Sequence, residues 1–215
     1  GNQQATWYVN GESVGQFAGK VLAGSSEVQT NTPAVAATSL PTQTPAAKQR
    51  KEPVVTSARE EQGVNFIDFN IYDDGVEQYA SIKHYHNETD NSIIPVLLGG
   101  LPVVGIEEGA YRNSSLKGTL RLPDSLRWIK GNPFAPSLSF SADGNHPNFA
   151  VENGLLIEKA TNRAIALSAN AKGVEKYAIS QGVQSIEARA FSEAWMRSID
   201  FPDSVKSIGD IYTSH

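Results

Sequence analysis

Two histidines two residues apart, His84 and His86, are the arrangement in this sequence best suited to chemistry. On an extended strand, residues i and i+2 share a face. Both imidazoles would therefore project together, with Glu88 and Asp90 close behind. That set suits a transition metal; the simpler expectation is two exposed polar residues at a strand end. Asp68, Asn70, Asp73 and Asp74 offer oxygens for calcium, but their spacing departs from the Asp-x-Asp-x-Asp-Gly loop. Alternation with apolar neighbours reads them instead as solvent-facing strand and turn residues. Glu107 and Glu108 open a short turn, where negative charge complements a helical N-terminus, and nothing in the sequence beside them marks general acid–base work. There is no Gly-x-Ser-x-Gly elbow, no Walker-type loop, no Gly-x-Gly-x-x-Gly and no His-Glu-x-x-His. The sequence has no cysteine, which rules out disulfides, zinc ribbons and thiol nucleophiles within it. The expectation is a chain without catalytic residues, without a metal site and without a cofactor.

The elements that must position any site come from a chain of 215 residues, 40% hydrophobic and 19% charged. Both shares are below the usual, and Gly, Ser, Thr, Asn and Pro fill the gap, which favours strands and turns over a helical bundle. A net charge of −5 supplies no electrostatic footprint for nucleic acid. No apolar run approaches the ~18 residues of a membrane span. The single methionine is Met196, so Gly1 reads as an expression scar or a processed start, with any signal peptide out of view.

Composition divides the chain near residue 62. Residues 24–47 are dominated by Ser, Thr, Pro and Ala and are followed by charged runs. Such a stretch buries too little apolar area to offset the ordering of its backbone, and residues 1–62 read as a low-complexity spacer. Asn10-Gly11 could close a short hairpin over residues 6–14. From Val64 the pattern alternates: Ile67, Phe69 and Ile71 share one face, Asp73-Asp74-Gly75 turns the chain, and Val76, Gln78, Ala80 and Ile82 line a returning strand. The folded domain is expected over residues 63–215.

Internal repetition is the strongest signal in that domain. Val103, Ile106 and Tyr111 return as Val183, Ile186 and Phe191. Each copy runs on alike, through Leu116, Leu120, Leu122, Pro123-Asp124-Ser125-Leu126 and Ile129 in the first, and Met196, Ile199, Phe201, Pro202-Asp203-Ser204-Val205 and Ile208 in the second. A unit of about 22 or 23 residues holds one short strand, a turn and a return, and buries its apolar positions only by stacking on its neighbours. The fold class expected is an α/β repeat solenoid, predominantly β, with short helical or 3₁₀ turns at residues 107–110 and 187–190. Between the copies, residues 148–168 read as a β-meander with an Asn153-Gly154 corner, inserted on one coil.

The phrase Ile-x4-Tyr/Phe, a small and an apolar residue, an apolar strand, Pro-Asp-Ser-Val/Leu and Ile again resembles the BspA-like, or treponemal, class of leucine-rich repeats. The resemblance covers roughly residues 63–210, including the opening hairpin and the insert. It departs from the pattern in two respects: Ser114 and Ala194 stand where the family often has cysteine, and Thr213 stands where the aromatic of the last repeat belongs. The resemblance implies a leucine-rich-repeat protein, secreted or on the cell surface of a bacterium or protist, that binds a protein or glycan in an adhesin-like role and has no active site. A second expectation is an accessory or targeting domain of a larger secreted enzyme.

For the binding surface, repeat positions that the core does not need are the candidates. These are Thr119 and Arg121 in one copy, Ser198 and Asp200 in the other, and the tryptophans Trp128 and Trp195, which align with Ser207 and Ser115. Tryptophan combines large contact area with few rotors; the alternative is that each packs on a neighbouring coil. Asn87-Glu88-Thr89 and Asn113-Ser114-Ser115 fit the glycosylation acceptor pattern, which matters only in a eukaryotic secretory pathway.

Overall fold

The computed structural model describes residues 4–9, 12–18, 50–62, 65–86, 92–113 and 115–209. They fall in two compact units, Gly1–Pro45 and Ala46–His215. In the first, strands β1 (Gln4–Val9) and β2 (Glu12–Ala18) pair antiparallel with Val9 opposite Glu12. This hairpin is longer than residues 6–14. Most of the expected spacer, residues 19–49, lies outside the described residues.

The second unit opens with an antiparallel sheet of β3 (Val54–Gln62), β4 (Asn65–Asp73) and β5 (Gln78–His86). The strand β3 moves the start of the folded region ahead of the 62/63 division drawn from composition. It is an edge strand, and its side chains are mostly exposed. An edge strand gains its order from the ladder and needs little apolar sequence. Val76 and Gln78, expected to face inward, are exposed; the N–H groups of Val76 and Glu77 donate to Asp74 Oδ1 and make Val76 part of the turn. Beyond it, Ala80 and Ile82 point into the core. A bulge between Asp68 and Phe69 then leaves Lys83 without a partner in the ladder, so that Tyr85 is buried while His84 and His86 face out.

Strand β5 passes the chain to β6 (Leu97–Leu98) and β7 (Leu101–Ile106), and β7 lies parallel to β5 with Ile106 beside Ile82. Each coil now supplies a short strand to each of two sides. The first coil provides β8 (Gly118–Arg121), the next β9 (Trp128–Ile129) and β10 (Leu138–Ser141). Both pairings are parallel and step by about one repeat: Ile106 meets Ile129, and Leu120 meets Phe140. After the meander β11 (Phe149–Glu152), β12 (Leu155–Glu158) and β13 (Arg163–Leu167), the pattern resumes with β14 (Lys176–Ala178), β15 (Ser185–Ile186), β16 (Ser198–Asp200) and β17 (Ser207–Ile208). Strand β13 takes the place of a coil strand and pairs parallel with β15, as β15 does with β17 and β14 with β16.

Parallel ladders at repeat steps, an inward isoleucine column and turns opened by proline define a leucine-rich-repeat solenoid, predominantly β. Its helical content among the described residues is one 3₁₀ turn, Ala169–Ala171. The expected turns at 107–110 and 187–190 are each closed by a single i→i+3 bond, Ala110 N–H to Glu107 O and Ala190 N–H to Glu187 O. Pro123 and Pro202 open the corresponding turns, their carbonyls accepting from Leu126 and Val205. Tyr85, Tyr111 and Phe134 form an aromatic ladder with centroids 4.8 and 6.0 Å apart. Leu120 and Leu122 are buried as the repeat requires; Ile199 is half-buried and Phe201 is 43% exposed. The second copy belongs to the last described coils, where no described neighbour covers it.

The core has two clusters, and the insert joins them. Leu156, Ile165 and Ala166 belong to the first; Leu155, Ile157, Ala164 and Leu167 belong to the second. Alternate residues of β12 thus serve opposite sides, and β13 does the same across the ladder irregularity at Ile165, so the meander is a shared wall and not an appendage on one coil. Asn153 (φ 50) and Gly154 (φ 81) make its first corner. His146, which the sequence did not single out, anchors the entry. Its buried ring accepts from the Asn148 and Phe149 N–H groups at Nδ1 and, in the tautomer this requires, donates from Nε2 to Pro123 O at 2.9 Å.

Candidate binding surface

The side of the solenoid that carries β7 and β9 gathers aromatic and charged groups from three separate segments. Tyr72 and Tyr79 face each other across the β4–β5 hairpin and stack at 5.1 Å with their planes 6° apart. Trp128, one repeat further, meets Tyr72 edge-on at 6.1 Å. The indole lies on the bare backbone of Gly105, its partner in the parallel ladder, where a Cβ would fall 2.1 Å from the ring. Trp128 therefore packs on the neighbouring coil, and it keeps part of its surface exposed, as do both tyrosines.

Charged groups rim this aromatic row. Lys130 sits 5.1 Å from the Trp128 ring and donates to Glu107 at 2.6 Å. Glu107 also accepts from Tyr72 and Ser81, each at 2.7 Å, and from Asn70 at 3.4 Å. Its role is thus a half-buried hub between strands and coils, in place of the expected helix-terminal charge. Burial pushes the Glu107 carboxyl up, but the bonds from Lys130, Tyr72 and Ser81 outweigh it and hold it below its ordinary value. Burial, then the bond to Glu107, pushes the Tyr72 phenol up. On the opposite flank Arg127 donates to Glu77 at 2.8 Å, and Arg50 bridges Glu77 and Asp74 at 3.2 and 3.5 Å.

The other expected binding residues do not join this row. Thr119 and Arg121 are exposed on β8, and Ser198 and Asp200 lie on β16, half-buried and exposed. The β8–β10 and β14–β16 ladders are separate. Arg121 pairs with Asp143 at 2.7 Å, and both line a cavity of about 390 Å³ together with Ile94, Val96, Leu122 and Pro123. Trp195 stands apart, 84% exposed, with its backbone N–H donating to the Lys172 carbonyl. The residues singled out by repeat alignment are thus spread over the Trp128 row, the two separate ladders and Trp195. Tyr72 and Tyr79 escaped that alignment because they precede the repeats; the signal available was an aromatic pair flanking the Asp-Asp-Gly turn.

The sequence's metal-like residues are also resolved. Asp73 and Asp74 shape their own turn, accepting from Gly75 and from Val76 and Glu77; Asn70 pairs with Ser57 and Asp68 with Arg59. The four oxygens serve different partners. Asp68, however, lies opposite His84 in the ladder and within reach of His86. Glu88 and Asp90, with the first glycosylation-like triplet, lie outside the described residues, as does Ser114 of the second.

No family model matches the chain, and no curated protein matches it. Among solved structures it is similar to the pneumococcal vaccine antigen PcpA, at 21% identity and a TM-score of 0.46, over 53% of this chain and 29% of that one. It is also similar to a leucine-rich repeat protein from Eubacterium ventriosum, at 15% identity and a TM-score of 0.38, over 72% of this chain and 62% of that one. The chain spans less than two thirds of the length of either. No helix among the described residues is long and apolar enough to cross a membrane.

Proposed function

We propose that this chain is a non-catalytic binding module, displayed outside the cell, that recognises a protein or glycan on a rigid leucine-rich-repeat scaffold. The observation that carries this reading is the row Tyr79, Tyr72 and Trp128: three partly exposed aromatic rings held by stacking and by the Gly105 backbone, rimmed by Lys130, Arg127, Glu77 and Glu107. Aromatic faces flanked by fixed polar groups suit sugar rings and protein hot spots alike, because they offer area without loss of side-chain freedom. The extracellular setting and the adhesin-like role rest on the resemblance of the repeat phrase to the BspA-like class. Binding proceeds by surface complementarity without turnover. A screen of glycans and extracellular-matrix proteins with the whole chain tests this, followed by the same screen with Trp128→Ala and Trp195→Ala. The expected outcome is a ligand whose affinity falls at least about tenfold in Trp128→Ala, the loss typical of an interface anchor, with the melting curve recorded to separate binding from folding. A ligand retained equally by both variants refutes this surface.

A further inference from the structure

The outer face of the opening sheet brings three metal-ligating side chains together from two strands. His84 and His86 project from the same face of β5 because the bulge at Lys83 sets both outward, and Asp68 on β4 lies directly opposite His84. One ligand atom from each of the three lies within 4.8 Å of the others. A tetrahedral zinc ion with bonds of about 2.0–2.1 Å needs its ligands a little over 3 Å apart, so small side-chain rotations close the site.

The surroundings fix two of the three ligands. Phe66 stacks on the His86 ring at 4.0 Å, and the Arg59 guanidinium lies over the Phe66 ring, 3.9 Å from its centroid. Arg59 Nε donates to Asp68 Oδ1 at 2.6 Å, while Oδ2, with a longer 3.1 Å contact to Arg59, faces His86 Nε2 at 3.7 Å. A metal bound at Oδ2 leaves Oδ1 on Arg59, an outer-shell contact of the kind that orients ligating carboxylates.

We propose that Asp68, His84 and His86 form a surface site for a zinc-class divalent cation, with the fourth position open to water or an external ligand. Two imidazoles and one carboxylate are a zinc donor set, and three protein ligands leave such an ion coordinatively unsaturated. The site shares β4 and β5 with Tyr72 and Tyr79 of the aromatic row but uses none of the row's residues.

Calorimetric titration of the whole, tag-free chain with ZnCl2 tests the proposal, together with His84→Ala and Asp68→Asn, and with circular dichroism to show that each variant is folded. The expected result is one ion per chain, with affinity at least about tenfold weaker in each variant, in line with the loss of a ligating group. Absence of binding by the wild-type chain overturns the site. So does wild-type affinity in His84→Ala, which would place the ion elsewhere, or in Asp68→Asn, which would reduce the site to an adventitious histidine pair.

Discussion

Glu107 and Glu187 occupy the same repeat position, and each takes a cation from another coil: Lys130 at 2.6 Å in one case, Arg163 at 2.6 Å in the other. The side chain of Glu107 is only 13% exposed, so its charge is tolerated because Lys130, Tyr72, Ser81 and Asn70 donate to it. A carboxylate whose folded pKa lies below its unfolded value, near 4.5, stabilises the fold fully above that unfolded value. The contribution is lost as pH falls through the folded value. The melting temperature of the wild-type chain should therefore drop more steeply below about pH 4.5 than that of Glu107→Gln, with the gap between the two closing at low pH. Parallel curves would show that Glu107 adds nothing. The sequence marked Glu107 as acidic at a turn, but its partners Tyr72, Ser81 and Lys130 are distant in the chain, and only their pairing registers bring them near.

At the scale of elements, the insert is where repeat reasoning was least adequate. The alternation of Phe149 and Val151, Leu155 and Ile157, and Ile165 and Leu167 located the strands around the Asn-Gly corner, as it should for residues whose period is local. It did not show that consecutive Leu155, Leu156 and Ile157 are all buried, because that requires a core on each side of β12. Truncation on either face should then be costly. Leu156→Ala and Ile157→Ala are each expected to lose about 2–5 kcal/mol in chemical denaturation, although they face different clusters. A loss below about 1 kcal/mol for either would mean that its side of the wall is exposed or easily refilled. The edge strand β3 is the opposite case: its polar sequence reads as spacer, and its order comes from pairing residue by residue with β4.

At the largest scale, the described coils of the second unit form a stack, each secured by its neighbours, so protection should grade along it. In the second half, Glu187 N–H is bonded to Ala164 O within a covered ladder, whereas Gly209 N–H is bonded to Ile186 O on the last described coil, beside exposed Phe201 and Ile208. Hydrogen exchange should be slowest through β13–β15 and at least about tenfold faster at β17, a difference of about 1.4 kcal/mol in local opening. Uniform protection would indicate a unit that opens only as a whole.

By itself the sequence determined the period of the solenoid, the inward column of Ile106, Ile129, Ile186 and their partners, and the Pro-Asp-Ser turns. Each of these is a local pattern repeated, and repetition makes a local pattern legible. The tertiary structure alone decided which residues of different rows meet: Trp128 on Gly105 and Tyr72, Arg163 on Glu187, and Asp68 beside His84 and His86. Column position follows from the period within a strand. Neighbour identity follows from the register between strands, which a single bulge at Lys83 or one meander between coils can shift, and that register is set by long-range packing.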